Sequence, residues 1–250
     1  MVLIVGHRGA RNLWPENSLA GFAKTRDLGI DGVEFDVHLS RDGQMMVIHD
    51  PSLERTTEGR GPVAERTAAE LAETRLRDAG GEGVPTLDSV LDIYAGTTME
   101  LHIEIKTDFL GRPYPGLEEK LLDCVARRGL EQEAILTCFV PGVLETVRRL
   151  APRQRVLGSL DRRSAELMGG LDGALARFTR IEGCAVAVEK GLLADSLDLC
   201  RHRVGNDRLG AWVPNEPEDI AFWLSRPIRR ITTDRPDLAL AARASAPSGR

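Results

Sequence analysis

The sequence predicts an α/β fold, a (β/α)8 TIM barrel with a small insertion after its second strand. The chain has 250 residues, and a single barrel of this kind typically takes about 250. Short apolar, β-rich runs alternate with helical patterns almost from end to end, which is typical of parallel β/α folds. One additional strand follows the second run too closely to be anything but a hairpin. We therefore expect a single barrel domain over residues 1–250.

Eight short runs rich in β-branched residues predict the barrel strands. They lie at 2–6, 32–38, 99–106, 134–139, 155–160, 184–188, 208–213 and 229–233. Helical periodicity separates most of them, at 18–28, 86–95, 116–128, 141–150 and 216–225. Asn17 or Ser18 is a suitable N-cap for the first helix, and Gly29 and Gly129 stand where C-terminal caps are expected. Eight strand-then-helix units favour a closed barrel.

The additional strand reads M-M-V-I-H at 45–49 and follows the second barrel strand after only S-R-D-G-Q. A parallel neighbour needs a crossover of about a dozen residues or more, so this connection must be a hairpin. Asp42-Gly43 is predicted to form a two-residue turn, which would place Asp36 directly opposite His49. A loop one residue longer would still leave His49 within one pair of Asp36.

The predicted insertion spans 43–85 and includes the return strand of the hairpin. Its later part contains no barrel-type strand, but a helical pattern at about 67–76 precedes a Gly-rich stretch. We expect this excursion from the second β-to-α loop to lie over the carboxyl end of the barrel. The last residues, 244–250, have the composition of a disordered tail.

Composition argues against two classes of partner. Aromatic residues make up 4% of the chain, the net charge is −5 and the pI is about 5.6, so nucleic acid is not expected to be the main partner. No apolar run approaches the roughly 20 residues that span a bilayer, so we expect no membrane insertion. The N-terminal V-L-I-V run is too short for a signal peptide, which predicts a cytoplasmic protein.

Carboxylates stand at alternate positions on two predicted barrel strands. In V-E-F-D-V-H-L-S, Glu34 and Asp36 share one face, because side chains two apart on a strand point the same way. On M-E-L-H-I-E-I-K, Glu104 and Lys106 likewise alternate with apolar residues. Active sites of such barrels lie at the carboxyl ends of the strands. We therefore expect three carboxylates to converge there.

Cations and imidazoles are expected at the same rim. His7 and Arg8 follow the first strand, His49 ends the hairpin, and Lys106 ends the strand that carries Glu104. Any one of the carboxylates could be an ordinary salt-bridge partner, but three close together repel unless a proton or a cation neutralises them. Because all three donors are oxygens, a hard divalent cation, Mg²⁺ or Ca²⁺, is favoured over zinc.

Three other histidines are expected to have no catalytic role. His38 should lie out on the hairpin, His102 should fill a layer of the barrel core, and His202 should face solvent in an R-H-R stretch. The four cysteines show no C-x-x-C pairing and are expected to be reduced, buried residues.

Several sequence blocks resemble the glycerophosphodiester phosphodiesterase family, in that family's order and spacing. The blocks are H-R-G-A at 7–10, P-E-N-S at 15–18, V-E-F-D at 33–36, V-I-H-D-P-S-L-E-R-T-T at 47–57 and I-E-I-K at 103–106. Further matches are G-V-P-T-L-D-S-V-L at 83–91, T-C-F at 137–139, A-W-V-P-N at 211–215 and T-T-D-R-P-D at 232–237. The resemblance covers nearly the whole chain.

This resemblance implies a TIM-barrel enzyme and assigns roles to particular residues. The metal ligands would be Glu34, Asp36 and Glu104. The acid–base pair would be His7 and His49. The phosphate and substrate contacts would come from Arg8, Lys106 and Trp212. The residues that order the loop behind them would be Glu16 and Asn17, which could equally serve only as a helix N-cap.

The activity implied is metal-dependent hydrolysis of a small glycerophosphodiester, such as glycerophosphocholine or glycerophosphoethanolamine, to sn-glycerol 3-phosphate and an alcohol. One divalent cation, Mg²⁺ or Ca²⁺, would be the cofactor. The nucleophile, water or the glycerol 2-hydroxyl, stays open, as does the assignment of acid and base. Cys138 and Pro214 depart from the family pattern and bear on substrate preference.

Three alternatives remain. A lipid-acting relative, such as a lysophospholipase D, a sphingomyelinase-D-like enzyme or a phosphatidylinositol-specific phospholipase C, would share the two-histidine barrel, and a long apolar groove beside the site would favour it. A non-catalytic barrel used as a sensor would usually lack a ligand or a histidine. A barrel enzyme of carbon chemistry with Lys106 as base would leave His7 and His49 without a role.

Overall fold

The structure, a computed structural model, describes residues 1–245 and has the predicted closed barrel. The strands in this part of the chain are β1 (Leu3–His7), β2 (Gly32–Leu39), β3 (Met45–Val47), β4 (Glu100–Ile105), β5 (Ala134–Cys138), β6 (Arg155–Leu160), β7 (Ala185–Glu189), β8 (Leu209–Trp212) and β9 (Arg230–Thr233). Their order is β1-β9-β8-β7-β6-β5-β4-β2, and a parallel β1–β2 pairing closes the ring. β3 pairs antiparallel with β2 outside the ring. The predicted (β/α)8 fold with an additional strand is confirmed.

Helices surround the ring. They are α1 (Leu19–Asp27), α2 (Ala68–Glu73), α3 (Leu87–Ile93), α4 (Leu117–Arg127), α5 (Pro141–Leu150), α6 (Arg162–Leu167), α7 (Leu171–Thr179), α8 (Lys190–Asp195), α9 (Leu197–Val204), α10 (Pro217–Leu224) and α11 (Pro236–Ser245). The N-cap of α1 is Ser18, whose side chain accepts a hydrogen bond from the amide of Gly21. Two helices rather than one follow each of β6 and β7, which the helical periodicity did not predict.

The main core lies between the ring and these helices. Outward-facing apolar side chains of the strands pack there against the helices, for example Phe35 of β2 against Phe22 of α1, with ring centroids 5.6 Å apart. The interior of the barrel is different. Strand alternation turns Glu100, His102 and Glu104 of β4 inward, so charged side chains lie along the barrel axis.

The hairpin register differs by one residue from the predicted two-residue turn. Val37 pairs with Val47, and the amide of Ile48 donates to the carbonyl of Asp36 at 3.1 Å, so the predicted pairing of Asp36 with His49 is wrong. The physical reason is a three-residue turn that ends at Gly43, whose φ of 74° is the left-handed conformation such turns require. His49 lies one residue further along, as the longer-loop alternative predicts.

β3 and the segment between β3 and α3 share a small hydrophobic core that is separate from the main one. Its members are Met46, Ile48, Leu53, Val63, Leu71, Leu76, Ala79 and Val84. The predicted helix at 67–76 is shorter, because α2 begins after a capping box of Thr67 and Glu70 and ends at Glu73. Glu82 accepts hydrogen bonds from the first amides of α1 at 2.8 and 3.1 Å, which fixes this segment against the barrel.

The chain end differs from the prediction in part. α11 extends to Ser245, so the first two residues of the predicted tail at 244–250 are helical, and 246–250 lie outside the described residues. Among the helices of residues 1–245, none is long and apolar enough to cross a membrane.

Candidate active site at the carboxyl end of the barrel

A cavity of about 220 Å³ opens at the carboxyl ends of the barrel strands. The predicted site residues that line it are His7, Arg8, Glu34, His49, Glu104 and Trp212. The remaining ones, Glu16, Asn17, Asp36 and Lys106, lie behind or beside this group, as their contacts below describe. The carboxyl face of a barrel is where the loops that carry function gather.

The three predicted carboxylates converge. Glu34 and Asp36 alternate on β2, and the parallel register places Asp36 directly beside Glu104 of β4. Within the described residues they form a cluster in which one oxygen of each lies within 4.8 Å of the others. Asp36 is fully buried, and its Oδ1 has no hydrogen-bond partner in the structure. Nζ of Lys106 lies 3.4 Å from this oxygen without making a hydrogen bond to it, so a bound cation would complete its environment.

The electrostatics of this cluster are those of crowded buried acids. Burial, followed by the charges of Asp36 and Glu104, raises the pKa of Glu34 well above its usual range. Burial also acts to raise the pKa of Asp36, but Lys106, His49 and Arg8 together hold it below its ordinary value. A proton on Glu34 or a cation bound to the cluster therefore relieves the repulsion among the three carboxylates.

Two cationic side chains flank the carboxylates. Nζ of Lys106 lies 2.8 Å from Oε1 of Glu104 and 3.4 Å from Oδ1 of Asp36. Nε of Arg8 lies 3.6 Å from Oδ2 of Asp36, and its Nη1 donates to Glu16 at 3.3 Å. The Arg8 side chain is only 10% exposed. Both cations are held by carboxylates and aimed at the site rather than at solvent.

Each of the two catalytic candidate histidines, His7 and His49, is hydrogen-bonded to an aspartate through its Nδ1. Nδ1 of His7 donates to Oδ1 of Asp234 at 2.5 Å, and Nδ1 of His49 donates to Oδ1 of Asp50 at 2.6 Å. Because an ionised carboxylate only accepts, Nδ1 carries the proton in both pairs and Nε2 is left for chemistry. Burial lowers the pKa of His7, so its ring is neutral near pH 7.

Both aspartates are themselves fixed by neighbouring groups. Asp234 accepts from Nε of Arg11 at 2.8 Å and from Nδ2 of Asn215 at 2.7 Å. Arg55 donates to both oxygens of Asp50 and, at 2.8 Å, to both oxygens of Glu16. The Arg55 guanidinium therefore connects the predicted loop residue Glu16 to the partner of His49.

The functional roles of Asp234, Asp50 and Arg55 were not predicted from the sequence. All three stand in the family-like stretches T-T-D-R-P-D and V-I-H-D-P-S-L-E-R-T-T. For Asp50, a carboxylate directly after a catalytic candidate histidine was a usable signal. Asp234 offered none, since it is 227 residues from His7 in the chain and reaches it only because β9 pairs with β1.

Asn17 lies against the carboxylates. Its Nδ2 donates to Oδ2 of Asp36 at 3.0 Å, and its backbone is left-handed at φ 53°. The capping alternative belongs instead to Ser18, the N-cap of α1. Asn17 therefore supplies one of the donors that orient Asp36.

His38 lies on the β2–β3 hairpin as expected, where it pairs with Met46. It is nevertheless fully buried, its Nε2 lies 3.0 Å from the backbone carbonyl of His49, and its Nδ1 lies 2.9 Å from the hydroxyl of Tyr114. A carbonyl only accepts, so Nε2–H donates and Nδ1 accepts from Tyr114. Burial lowers the pKa of His38 to about 4, which keeps this neutral tautomer. His38 therefore holds the backbone of His49 in position.

The far wall of the cavity is apolar. Trp212 packs edge-on against Phe139 with ring centroids 5.7 Å apart, and its indole Nε1 donates to the carbonyl of Ala187 at 3.1 Å. His102 also contributes to the lining; it is 2% exposed and its Nε2 lies 3.1 Å from Oε2 of Glu100. His202, in contrast, is exposed on α9, as expected.

Comparison with known proteins identifies the family. The family described as "Glycerophosphoryl diester phosphodiesterase family" matches residues 7–238. The chain belongs to this family. The match starts at His7 and extends beyond Asp234, so it includes every site residue described above.

Individual relatives agree with this assignment. The chain is 36% identical over 162 residues to a glycerophosphodiester phosphodiesterase from Caldanaerobacter subterraneus subsp. tengcongensis, covering 62% of this chain and 65% of that protein. The chain spans 65% of the length of this relative and 64% of the length of two further relatives, from Bacillus subtilis and Bacillus altitudinis, so it covers less than two thirds of each. Among solved structures, the fold is similar to that of glycerophosphodiester phosphodiesterase from Agrobacterium tumefaciens, with a TM-score of 0.79, 24% identity and coverage of 98% and 100%.

A third similarity is to the structure of an Oleispira antarctica phosphodiesterase in complex with the product sn-glycerol-3-phosphate. The TM-score is 0.80 at 22% identity, and 97% of each chain is covered. At this identity the similarity concerns the fold.

Proposed function

We propose that this protein hydrolyses small glycerophosphodiesters to sn-glycerol 3-phosphate and an alcohol, with one divalent cation and two histidines. The observation that carries the proposal is the arrangement in one cavity of two His–Asp pairs and a buried three-carboxylate cluster. Family membership over residues 7–238 and relatives named glycerophosphodiester phosphodiesterase support the same activity.

The carboxylate cluster fits a hard divalent cation. Glu34, Asp36 and Glu104 offer only oxygen donors, and Oδ1 of Asp36 has no hydrogen-bond partner. Mg²⁺ or Ca²⁺ held there would neutralise phosphate charge and stabilise the charge that builds on the phosphate oxygens. Adding each ion separately to metal-stripped protein would show which of the two supports activity.

The cationic side chains and the histidines would have separate roles, phosphate binding and proton transfer. Arg8 and Lys106 would bind the phosphate, because both side chains are held by carboxylates at the edge of the cavity. One of His7 and His49 would take a proton at Nε2 from the nucleophile, and the other would deliver one to the departing alcohol. Asp234 and Asp50 would keep each Nδ1 protonated and stabilise each ring when it becomes charged.

The apolar wall suggests where the alcohol part of the substrate lies. Trp212 and Phe139 form this wall, and neither offers a free polar group, since the indole N–H already binds a carbonyl. A head group would therefore pack on these rings through carbon atoms or a cationic methylated nitrogen.

A lipid-acting phosphodiesterase is the second candidate, because of one cleft. A space of about 340 Å³ adjoins the site through Glu104 and Phe139, and its lining includes Ile105 and the exposed Leu167. A lysophospholipid chain would need such an apolar surface. The same cleft carries Lys106, Asp161 and Arg163, however, and these charged groups favour a water-soluble diester.

The test uses protein stripped of metal with a chelator and then supplied with Mg²⁺ or Ca²⁺. We expect glycerol 3-phosphate release from glycerophosphocholine to return with either ion, and to fall by about 10²–10³-fold in Glu104→Gln. Choline release from lysophosphatidylcholine, without hydrolysis of glycerophosphocholine, would move the assignment to the lipid-acting candidate. No release from either substrate would contradict both.

A further inference from the structure

A second cavity lies at the opposite, amino-terminal end of the barrel. Its volume is about 500 Å³, and it is lined by residues that precede or begin β6, β7, β8 and β9. Six of its lining side chains are arginines: Arg148, Arg153, Arg155, Arg208, Arg229 and Arg230. Its acidic lining residues are Glu182 and Asp207, both exposed. A protein with a net charge of −5 has thus concentrated positive charge around one cavity.

Arg230 is the central group of this cavity. It is only 4% exposed, yet its Nε and Nη1 have no hydrogen-bond partner in the structure. The aliphatic part of its side chain occupies the space beside Gly210, because a Cβ added at Gly210 would lie only 2.9 Å from Cγ of Arg230. The fold therefore makes room for a buried guanidinium without satisfying it, and such a group is costly unless something else completes its environment.

The charge around Arg230 does not balance. Glu100 serves two cations: it pairs with Arg155, whose side chain is 39% exposed, and its Oε2 lies 3.5 Å from Nη2 of the buried Arg230. The same carboxylate also binds His102 at 3.1 Å. Two guanidiniums therefore share one negative charge, which leaves an excess of positive charge at the cavity.

The outer arginines add to this excess. Arg148 and Arg208 donate to backbone carbonyls, of Gln154 at 3.1 Å and of Cys184 at 3.5 Å. Across residues 1–245, these two and the exposed Arg153 and Arg229 have no carboxylate within 4.0 Å. Backbone carbonyls orient a guanidinium but do not neutralise it. Four further cations are thus available to a ligand in the cavity.

We propose that this cavity binds a small phosphate-bearing anion, either inorganic phosphate or a phosphomonoester. Guanidiniums from several loops around one recess match the several oxygens and the double charge of a phosphate group better than they match a single carboxylate. A concave cavity of about 500 Å³ also favours a small ligand over a flat macromolecular surface. The site lies at the other end of the barrel from the catalytic candidates, so it does not depend on the proposed function.

The test compares phosphate binding by wild type, by Arg153→Gln/Arg229→Gln and by Arg149→Gln. Both substituted arginines of the double variant are exposed, so folding should be preserved, and Arg149 is an exposed arginine outside the cavity that serves as the matched control. We measure inorganic phosphate binding by calorimetry in a low-salt buffer, and separately sn-glycerol 3-phosphate binding. Any phosphate that binds in the carboxyl-end cavity does so equally in all three proteins and is subtracted.

We expect the double variant to lose one class of phosphate site, with an affinity at least about tenfold weaker, while Arg149→Gln matches wild type. Arg208→Gln is a second, single variant that should weaken the same site. Tighter binding of glycerol 3-phosphate than of phosphate at this site would identify the phosphomonoester as the ligand, and the reverse would identify the free ion. Equal phosphate affinity in wild type and both cavity variants would overturn the proposal, whatever the protein's activity.

Discussion

The two ends of the barrel interior carry opposite charge imbalances. At the carboxyl end, Glu34, Asp36 and Glu104 outnumber Arg8 and Lys106. At the amino end, Arg155 and Arg230 outnumber Glu100. At each end, charged groups of one sign outnumber their described ion-pair partners of the other sign, although Arg155 is partly exposed. This difference underlies the proposals of a cation at one end and an anion at the other.

One strand explains how the two ends can differ so sharply. β4 turns Glu100, His102 and Glu104 to the interior, one after another along the barrel axis. Burial lowers the pKa of His102 to about 4, so the layer between the two ends is neutral near pH 7. This neutral layer separates the carboxylates of one end from the guanidiniums of the other, so the two sets do not neutralise each other by direct ion pairing.

The first prediction tests the carboxyl end alone by removing its two catalytic candidate histidines. His7→Ala and His49→Ala are each expected to lower kcat/KM for glycerophosphocholine by about 10²–10⁴-fold, because each removes a proton-transferring group. His202→Ala, on the exposed face of α9, is the control and should retain activity. Retained activity in either cavity variant would contradict the acid–base roles.

The second prediction removes the carboxylate that Arg155 and the buried Arg230 share. Glu100→Gln is expected to lower the free energy of unfolding by about 3–5 kcal/mol at pH 7, because it leaves the buried Arg230 guanidinium without its carboxylate partner. Urea denaturation measures this, with the exposed Glu131→Gln as control. A loss below about 1 kcal/mol would show that solvent, not Glu100, compensates these arginines.

The pH dependence of stability follows from the same group. Burial opposes the charged form, but His102 and Arg230 hold the pKa of Glu100 below its ordinary value. Its stabilising contribution is therefore complete above the unfolded pKa, about 4.3, and is lost as the pH falls towards the folded value. The Glu100→Gln variant should lack this part of the acid destabilisation.

The third prediction concerns the crowded acids of the carboxyl end. Without metal, Glu34→Gln is expected to raise Tm at pH 8 by about 2–4 °C, since it removes one of three repelling carboxylates. In metal-free wild type, the raised pKa of Glu34 means that stability increases as the pH falls towards the unfolded value. Added Mg²⁺ or Ca²⁺ should stabilise wild type and should have a weaker effect on the variant. A lower Tm of the metal-free variant would argue against repulsion.

The smallest expected effect tests how His49 is positioned. Tyr114→Phe removes the hydroxyl that donates a hydrogen bond to Nδ1 of His38, which in turn holds the backbone of His49. Losing about 1 kcal/mol of hydrogen-bond energy should lower kcat about fivefold while KM changes little. Tyr94→Phe is the matched control: it also loses a buried hydroxyl, whose partner is the carbonyl of Phe22, away from the cavity. Equal kcat in both variants would mean that the His38 contact does not orient His49.

Local patterns predicted a large part of this protein. Alternation on β2 and β4 placed Glu34, Asp36 and Glu104 on one face, because strand periodicity depends only on neighbouring residues. The hairpin after β2 was also evident, although its register depended on whether Gly43 closes a two- or three-residue turn, and both are compatible with the same residues. The roles proposed for these residues remain predictions.

What the sequence by itself determined is the order of the strands, the barrel they build and the face on which Glu34, Asp36 and Glu104 lie, since all three follow from short-range periodicity. Only the tertiary structure decided which side chains meet across the ring. Asp234 reaches His7 and Arg230 reaches Glu100 because closure brings distant strands to one axis. Such contacts depend on the shape of the closed barrel, and no local pattern in the chain encodes them.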